Sequence, residues 1–158
     1  MFIRNTWYVA AWDHEVTKEG LFTRTIIGEP VLMYRKQDGE IVAMQDRCCH
    51  RGAPLSVGRR EGDCVRCMYH GLKFDDAGQC VEAPAQKRIP IQAKVRTYPI
   101  VQRHRWIWVW MGDPAKAFAE VARILKPGGS FIIMDHVAPA GTPTTSGNDL
   151  HRIDPLPV

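Results

Sequence analysis

Two short stretches of this 158-residue chain carry side chains that bind soft metal ions: Cys48-Cys49-His50-Arg51-Gly52 and Cys67-Met68-Tyr69-His70-Gly71. Together they read Cys-x-His, sixteen residues, Cys-x-x-His. Thiolates are anionic and soft, and they suit ferric iron and bridging sulfide. Neutral imidazoles place less negative charge on the metal, which raises the potential of a mixed centre above that of an all-cysteine one. Two Cys and two His also make a structural zinc site. Cys64-Val65-Arg66-Cys67 is in addition a Cys-x-x-Cys of the kind used by zinc knuckles and redox pairs. Zinc sites group like ligands together, whereas each stretch here contributes one thiol and one imidazole. The mixed pairing favours a two-iron, two-sulfide centre, with zinc as the alternative. Taken alone, Cys64 and Cys80 read as small, partly buried hydrophobes.

The elements that must hold these stretches are short strands. Leu21–Ile27 is rich in Thr and Ile, Gly28-Glu29-Pro30 breaks it, and Val31–Tyr34 resumes. Gln37-Asp38-Gly39-Glu40 is a hairpin signal in which Asp-Gly supplies positive φ angles, and Ile41–Met44 follows. Asp76-Ala77-Gly78 offers a second turn. Val95–Val101 and Trp106–Met111 flank Arg103-His104-Arg105 as a final hairpin, with Trp106, Trp108 and Trp110 read as core packing. No segment of helical period precedes residue 114. Beyond Asp113-Pro114 the pattern changes. Phe118, Val121, Ala122 and Leu125 line one face of a helix over 115–126, and Pro127-Gly128-Gly129 stops it. Phe131–Met134 reads as a buried strand, and 138–158 as a Pro-rich irregular tail.

Composition narrows the function classes. Hydrophobic content of 45% and charged content of 24% are ordinary globular values. The net charge of +4 is too mild for a nucleic-acid binder, and no basic run is interleaved with aromatics. No apolar run is long enough to span a membrane, and the N-terminus lacks a signal-peptide layout, so the expected compartment is cytoplasmic. Five cysteines without an export signal read as thiols or ligands rather than as a disulfide framework.

The stretch Asp46–Asp75 contains His50-Arg51-Gly52-Ala53-Pro54-Leu55-Ser56, Gly62-Asp63 and Tyr69-His70-Gly71-Leu72-Lys73-Phe74-Asp75. It resembles the Rieske domain of non-haem iron ring-hydroxylating oxygenases. Arg4-Asn5-Thr6-Trp7-Tyr8-Val9-Ala10 and Trp108-Val109-Trp110-Met111-Gly112-Asp113-Pro114 are similar to one branch, that of vanillate O-demethylase and phthalate dioxygenase oxygenase components. The resemblance covers residues 1–114. It implies a mostly β fold, a Rieske-type antiparallel β-sandwich or barrel with two cluster-binding loops, and a [2Fe–2S] cofactor. It further implies Cys48 and Cys67 on one iron and His50 and His70 on the other. A flavin- or ferredoxin-type reductase is the implied electron donor, and a mononuclear-iron oxygenase domain the implied acceptor.

The chain departs from that family at two positions. Cys49 stands where proline is common, and could compete for iron or oxidise without blocking assembly. Tyr69 stands where respiratory Rieske proteins place a loop-tying cysteine, which favours the oxygenase and soluble ferredoxin side. Arg47, Arg51, Arg59, Arg60 and Arg66 outnumber Asp46, Glu61 and Asp63 in the loop region. They read equally as a field favouring the reduced centre and an acidic donor, or as solvated surface.

The family's catalytic domain is expected to be missing. Beyond residue 114, His136 and His151 with Asp135, Asp149 and Asp154 lack its iron-ligand pattern. Ala117–His136 instead resembles a late helix–turn–strand of class I S-adenosylmethionine-dependent methyltransferases, and Leu150–Pro155 is similar to one bacterial branch of them. No glycine-rich cofactor loop follows a strand, so methyl transfer is not expected. The chain therefore divides into a [2Fe–2S] domain, 1–114, and a methyltransferase-like helix–strand extension with irregular tail, 115–158. The two meet near Pro114–Lys116 through recombination, frameshift or assembly error. The leading function is one-electron transfer, as in aromatic ring-hydroxylating or O-demethylating systems. The alternatives are an oxygenase subunit completed in trans and a zinc-stabilised binding module.

Overall fold

A computed structural model describes residues 2–84, 86–117, 132–133 and 151–152. The strands, in chain order, are β1 (Thr6–Trp12), β2 (Phe22–Ile26), β3 (Glu29–Arg35), β4 (Ile41–Gln45), β5 (Arg59–Glu61) and β6 (Cys64–Arg66). They continue with β7 (Lys73–Phe74), β8 (Cys80–Glu82), β9 (Ile100–Arg103), β10 (Trp106–Met111), β11 (Ile132–Ile133) and β12 (His151–Arg152). All pairings are antiparallel, in the orders β1-β10-β9, β2-β3-β4, β5-β6-β7-β8 and β11-β12. Helix among the described residues is confined to one turn at 114–117. The mostly β, antiparallel expectation holds. The remainder of the expected helix, the ends of the expected strand at Phe131 and Met134, and nearly all of the tail lie outside the described residues.

Strand β3 explains why the protein has two cores. Its side chains alternate across the sheet. Val31 and Met33 face Ala10, Ala11, Ile107, Val109 and Met111, while Leu32 and Tyr34 face Cys48, Leu55, Cys67 and Phe74. Strand β4 repeats the division, with Ala43 on the first side and Val42 and Met44 on the second. The sheet β2-β3-β4 is thus a floor with a packed β layer on one face and the two Cys/His stretches on the other. Each large apolar side chain buried there contributes about 1.5–3 kcal/mol. Polar ties fix the second face: the Tyr34 hydroxyl donates to the Asp63 carbonyl at 2.9 Å, and the Gln37 N–H donates to the Asp63 carboxylate at 2.9 Å. The buried Lys36 ammonium joins Glu40 at 2.6 Å and Asp76 at 3.3 Å, pinning the β3–β4 turn to the β7–β8 turn.

Three local expectations are revised. Only Gly39 of the Asp38-Gly39 pair takes a positive φ, so the hairpin closes with a single left-handed residue rather than two. The two-residue turn with two positive φ angles is His104-Arg105, a pair that carries no glycine. The expected strand Val95–Val101 is split at Pro99, which has no N–H for a ladder. Residues 94–97 bridge to β7–β8 and β4, and β9 begins only at Ile100. Of the three tryptophans, Trp110 is fully buried. Trp106 and Trp108 are half-buried, Trp106 lying stacked on the exposed Trp12 at 3.4 Å.

Candidate metal centre

The two stretches fold as matching loops. In the first, the Cys48 N–H donates to the Ala53 carbonyl at 2.8 Å and the Gly52 N–H donates back to the Cys48 carbonyl at 2.9 Å. In the second, Cys67 and Leu72 pair at 2.8 Å and Gly71 returns to Cys67 at 3.2 Å. Each loop turns on a glycine four residues after its cysteine, with φ of 70° at Gly52 and 75° at Gly71, a conformation that other residues rarely adopt. This equal Cys-to-Gly spacing is visible in the sequence and was the signal for paired loops that the motif reading did not use.

The loops sort the four side chains by depth. Cys48 and Cys67 are buried, 4% and 2% exposed, in the same core, close enough for each thiol to feel the other's charge. His50 and His70 are exposed, with ring centroids 4.5 Å apart. Tyr69 lies against the His70 ring at 3.8 Å. Burial pushes the Cys48 thiol up to about 11, its Cys67 neighbour adds to this, and the His50 backbone N–H opposes it. A thiolate at that depth needs a cation beside it, which a bound metal supplies as it displaces the proton. The four expected ligands lie as two buried thiols and two exposed, neighbouring imidazoles. A single zinc ion takes its donors around one centre, whereas a mixed two-iron cluster takes two donors per iron. This donor set suits the two-iron group.

The remaining cysteines stand apart from this set. All five are free of disulfides. Cys80 is buried and its thiol donates to the Glu82 carbonyl at 3.4 Å, while Cys64 is half-buried and lies outside the core that holds Cys48 and Cys67. The small-hydrophobe reading holds for Cys80. Cys49 is exposed. Cys49→Pro is therefore expected to leave iron and acid-labile sulfide per chain unchanged, and loss of either would show that Cys49 is a ligand.

The arginines divide in a way that spacing did not reveal. Arg66 has its guanidinium fully engaged, with Glu61 at 2.6 and 2.8 Å, Glu82 at 2.9 and 2.8 Å, and the Gly71 carbonyl of the second loop at 2.7 Å. These bonds, with Arg59 adding its own, hold the Glu61 carboxyl down to about 2. Arg60 lies over the Tyr34 ring and donates to the Arg35 and Gly62 carbonyls. Arg59, Arg60 and Arg66 are thus structural ties of the β5–β6 ladder. Arg47 and Arg51, on the first loop, are exposed. Asp46 and Ser56 also anchor the first loop, a role that residue type and spacing do not announce.

Comparison with known proteins bears on this geometry. A family model described as the Rieske [2Fe-2S] domain matches residues 6–99. A methyltransferase-domain model matches residues 72–133, of which 72–99 lie inside the first match. The chain is 62% identical over 117 residues to the iron–sulfur subunit of a toluene-4-sulfonate monooxygenase system from Comamonas testosteroni, covering 74% of this chain and 34% of that one. It is 40% identical over 114 residues to the oxygenase subunit of vanillate O-demethylase from a Pseudomonas strain, covering 72% and 31%. A crystal structure of dicamba monooxygenase bound to dicamba superposes with a TM-score of 0.70 at 45% identity, over 73% of this chain and 35% of that one. The chain spans about a third of the length of these relatives. No helix among the described residues is long and apolar enough to cross a membrane.

Proposed function

Because the chain belongs to the Rieske [2Fe-2S] domain family, we propose that Cys48 and Cys67 hold one iron of its cluster and His50 and His70 the other. The cluster of this family supplies reversible one-electron transfer. The observation that carries the assignment is the sorting of buried, paired thiols beneath exposed, paired imidazoles. The buried cysteines keep water from the sulfur side. The two histidines form the edge at which another redox protein makes contact. Beside that edge Met68 and Tyr69 of the second loop are 65% and 62% exposed, giving the imidazoles an apolar flank suited to docking.

The partners we infer are a flavin- or ferredoxin-type reductase as donor and a mononuclear-iron oxygenase domain as acceptor. The system would hydroxylate or O-demethylate aromatic compounds in the cytoplasm. Support comes from the relatives, which are named as oxygenase subunits and iron–sulfur subunits of monooxygenase and O-demethylase systems. We further read 1–114 as the cluster domain and 115–158 as a methyltransferase-like extension. The composition change at Pro114 supports that division, while the methyltransferase-domain match over 72–133 starts inside the cluster domain and sets no boundary.

Anaerobic purification followed by iron, sulfide and zinc analysis tests the assignment. Equal iron and acid-labile sulfide are expected. Zinc without sulfide would replace this reading with the zinc-stabilised module.

A further inference from the structure

Asp46 is the buried carboxylate closest in sequence to the proposed centre, two residues before Cys48, and is 6% exposed. One of its oxygens accepts the Ser56 N–H at 2.7 Å. The other accepts the Ser56 hydroxyl at 2.6 Å and the Thr23 hydroxyl at 3.0 Å, whose proton is shared with the Val31 carbonyl. Its own N–H donates to the Pro30 carbonyl at 2.8 Å. These bonds close the first loop, from Asp46 round to Ser56, and fasten it to β2 and β3. The groups bonded to the carboxylate are a backbone N–H and two hydroxyls. None is a cation, and no Lys, Arg or His among the described residues forms an ion pair with it.

A carboxylate stapling a loop could be structural only, but hydroxyl and amide donors alone leave its charge uncompensated. The nearest loop cations are Arg47, whose guanidinium lies 3.4 Å from where a Cβ on Gly52 would sit, and Arg51. Both are exposed and therefore screened by water and salt, whereas a buried charge is screened much less. We propose that Asp46 is a positioning residue whose buried negative charge also holds down the reduction potential of the centre on Cys48, His50, Cys67 and His70. Reduction adds one electron to that centre, and a fixed anion beneath its loop disfavours the added charge. This inference rests on the ligand assignment proposed above.

Asp46→Asn keeps the shape, and the Ser56 and Thr23 hydroxyls can turn to accept from the new amide. The midpoint potential, read by titration of the cluster's visible circular dichroism, is expected to rise. The expected shift is about tenfold in the one-electron equilibrium, or about 59 mV. Thr23→Lys, at an exposed position on β2, exchanges the Thr23 hydroxyl bond for an ammonium beside Asp46 while both Ser56 bonds stay in place, and should shift the potential the same way by a smaller amount. It decides the matter if Asp46→Asn fails to assemble a cluster. Ser56→Ala loosens the loop but keeps the charge, and should not raise the potential. Unchanged potentials in the first two variants with full iron and sulfide would overturn the proposal, as would an equal rise in Ser56→Ala. A wild-type protein without an iron–sulfur centre would instead overturn the ligand assignment, and this inference with it.

Discussion

Cys48→Ser and Cys67→Ser are each expected to lose essentially all bound iron and sulfide while the β framework persists. The two thiols are buried in one core, one from each loop. A serine alkoxide is a hard ligand and a poor substitute for thiolate on iron. The fold should tolerate the change, because Cys and Ser are nearly the same size and the floor of Leu32, Tyr34, Met44 and Phe74 is untouched. A loss of about 1 kcal/mol in stability is the expected scale. Cys64→Ser is the matched control. That residue is half-buried and outside the core shared by Cys48 and Cys67, so iron content should stay at the wild-type level. Visible absorbance with iron and sulfide assays reads the outcome. Retention of a normal cluster in Cys48→Ser, or its loss in Cys64→Ser, would show that the ligands are misassigned.

Gly58→Ala should be the most damaging single methyl group in the cluster region. Gly58 joins the first loop to β5 and passes directly over the end of β6, one residue before Cys67. A Cβ there would overlap the Arg66 carbonyl oxygen and lie 2.9 Å from that of Leu55, both rigid backbone atoms. The only relief is to push the first loop away from the second, which separates the Cys48 and Cys67 thiols. A cost of about 3 kcal/mol or more is expected, or a drop of roughly 10–20 °C in melting temperature. Iron content should fall with it. Gly20→Ala is the comparison, since its new Cβ would meet the Thr17 side-chain hydroxyl rather than backbone. A Gly58→Ala protein with wild-type melting and iron content would mean that the two loops are not packed as described.

The proposed ligands stand out in the sequence because their chemistry is carried by residue type and short spacing: a thiol and an imidazole in each of two loops. The same spacing does not say which pair is deep. Burial of Cys48 and Cys67 depends on β3 and β4, whose alternate side chains face two cores, and that arrangement is a tertiary outcome. The β-rich character before residue 114 was legible from turn signals. The closing pair β1-β10 was not, since Thr6 meets Met111 across almost the whole domain. Neither was the break at Pro99, although a residue without an N–H should have warned against one continuous strand. The arginines, open to two readings, divide for a similar reason. Counting them gives a positive loop region, but the β5–β6 register sets Arg59 opposite Arg66 with Glu61 bonded to both. What reads as a steering field is in part a structural clasp. Asp46 was legible only as a charge to subtract, because its partners Ser56 and Thr23 come from ten residues later and twenty-three residues earlier.

The electron paramagnetic resonance spectrum of the dithionite-reduced protein tests the central claim most directly. In a reduced cluster of this kind the added electron would make the histidine-ligated iron ferrous, and its antiferromagnetic coupling to the ferric partner would leave a net spin of one half with a rhombic signal whose average g-value lies below that of all-cysteine clusters; the account predicts that signal. It should vanish in Cys48→Ser and persist in Cys49→Pro. A signal of the all-cysteine type, or a silent protein containing zinc, would contradict the assignment of His50 and His70.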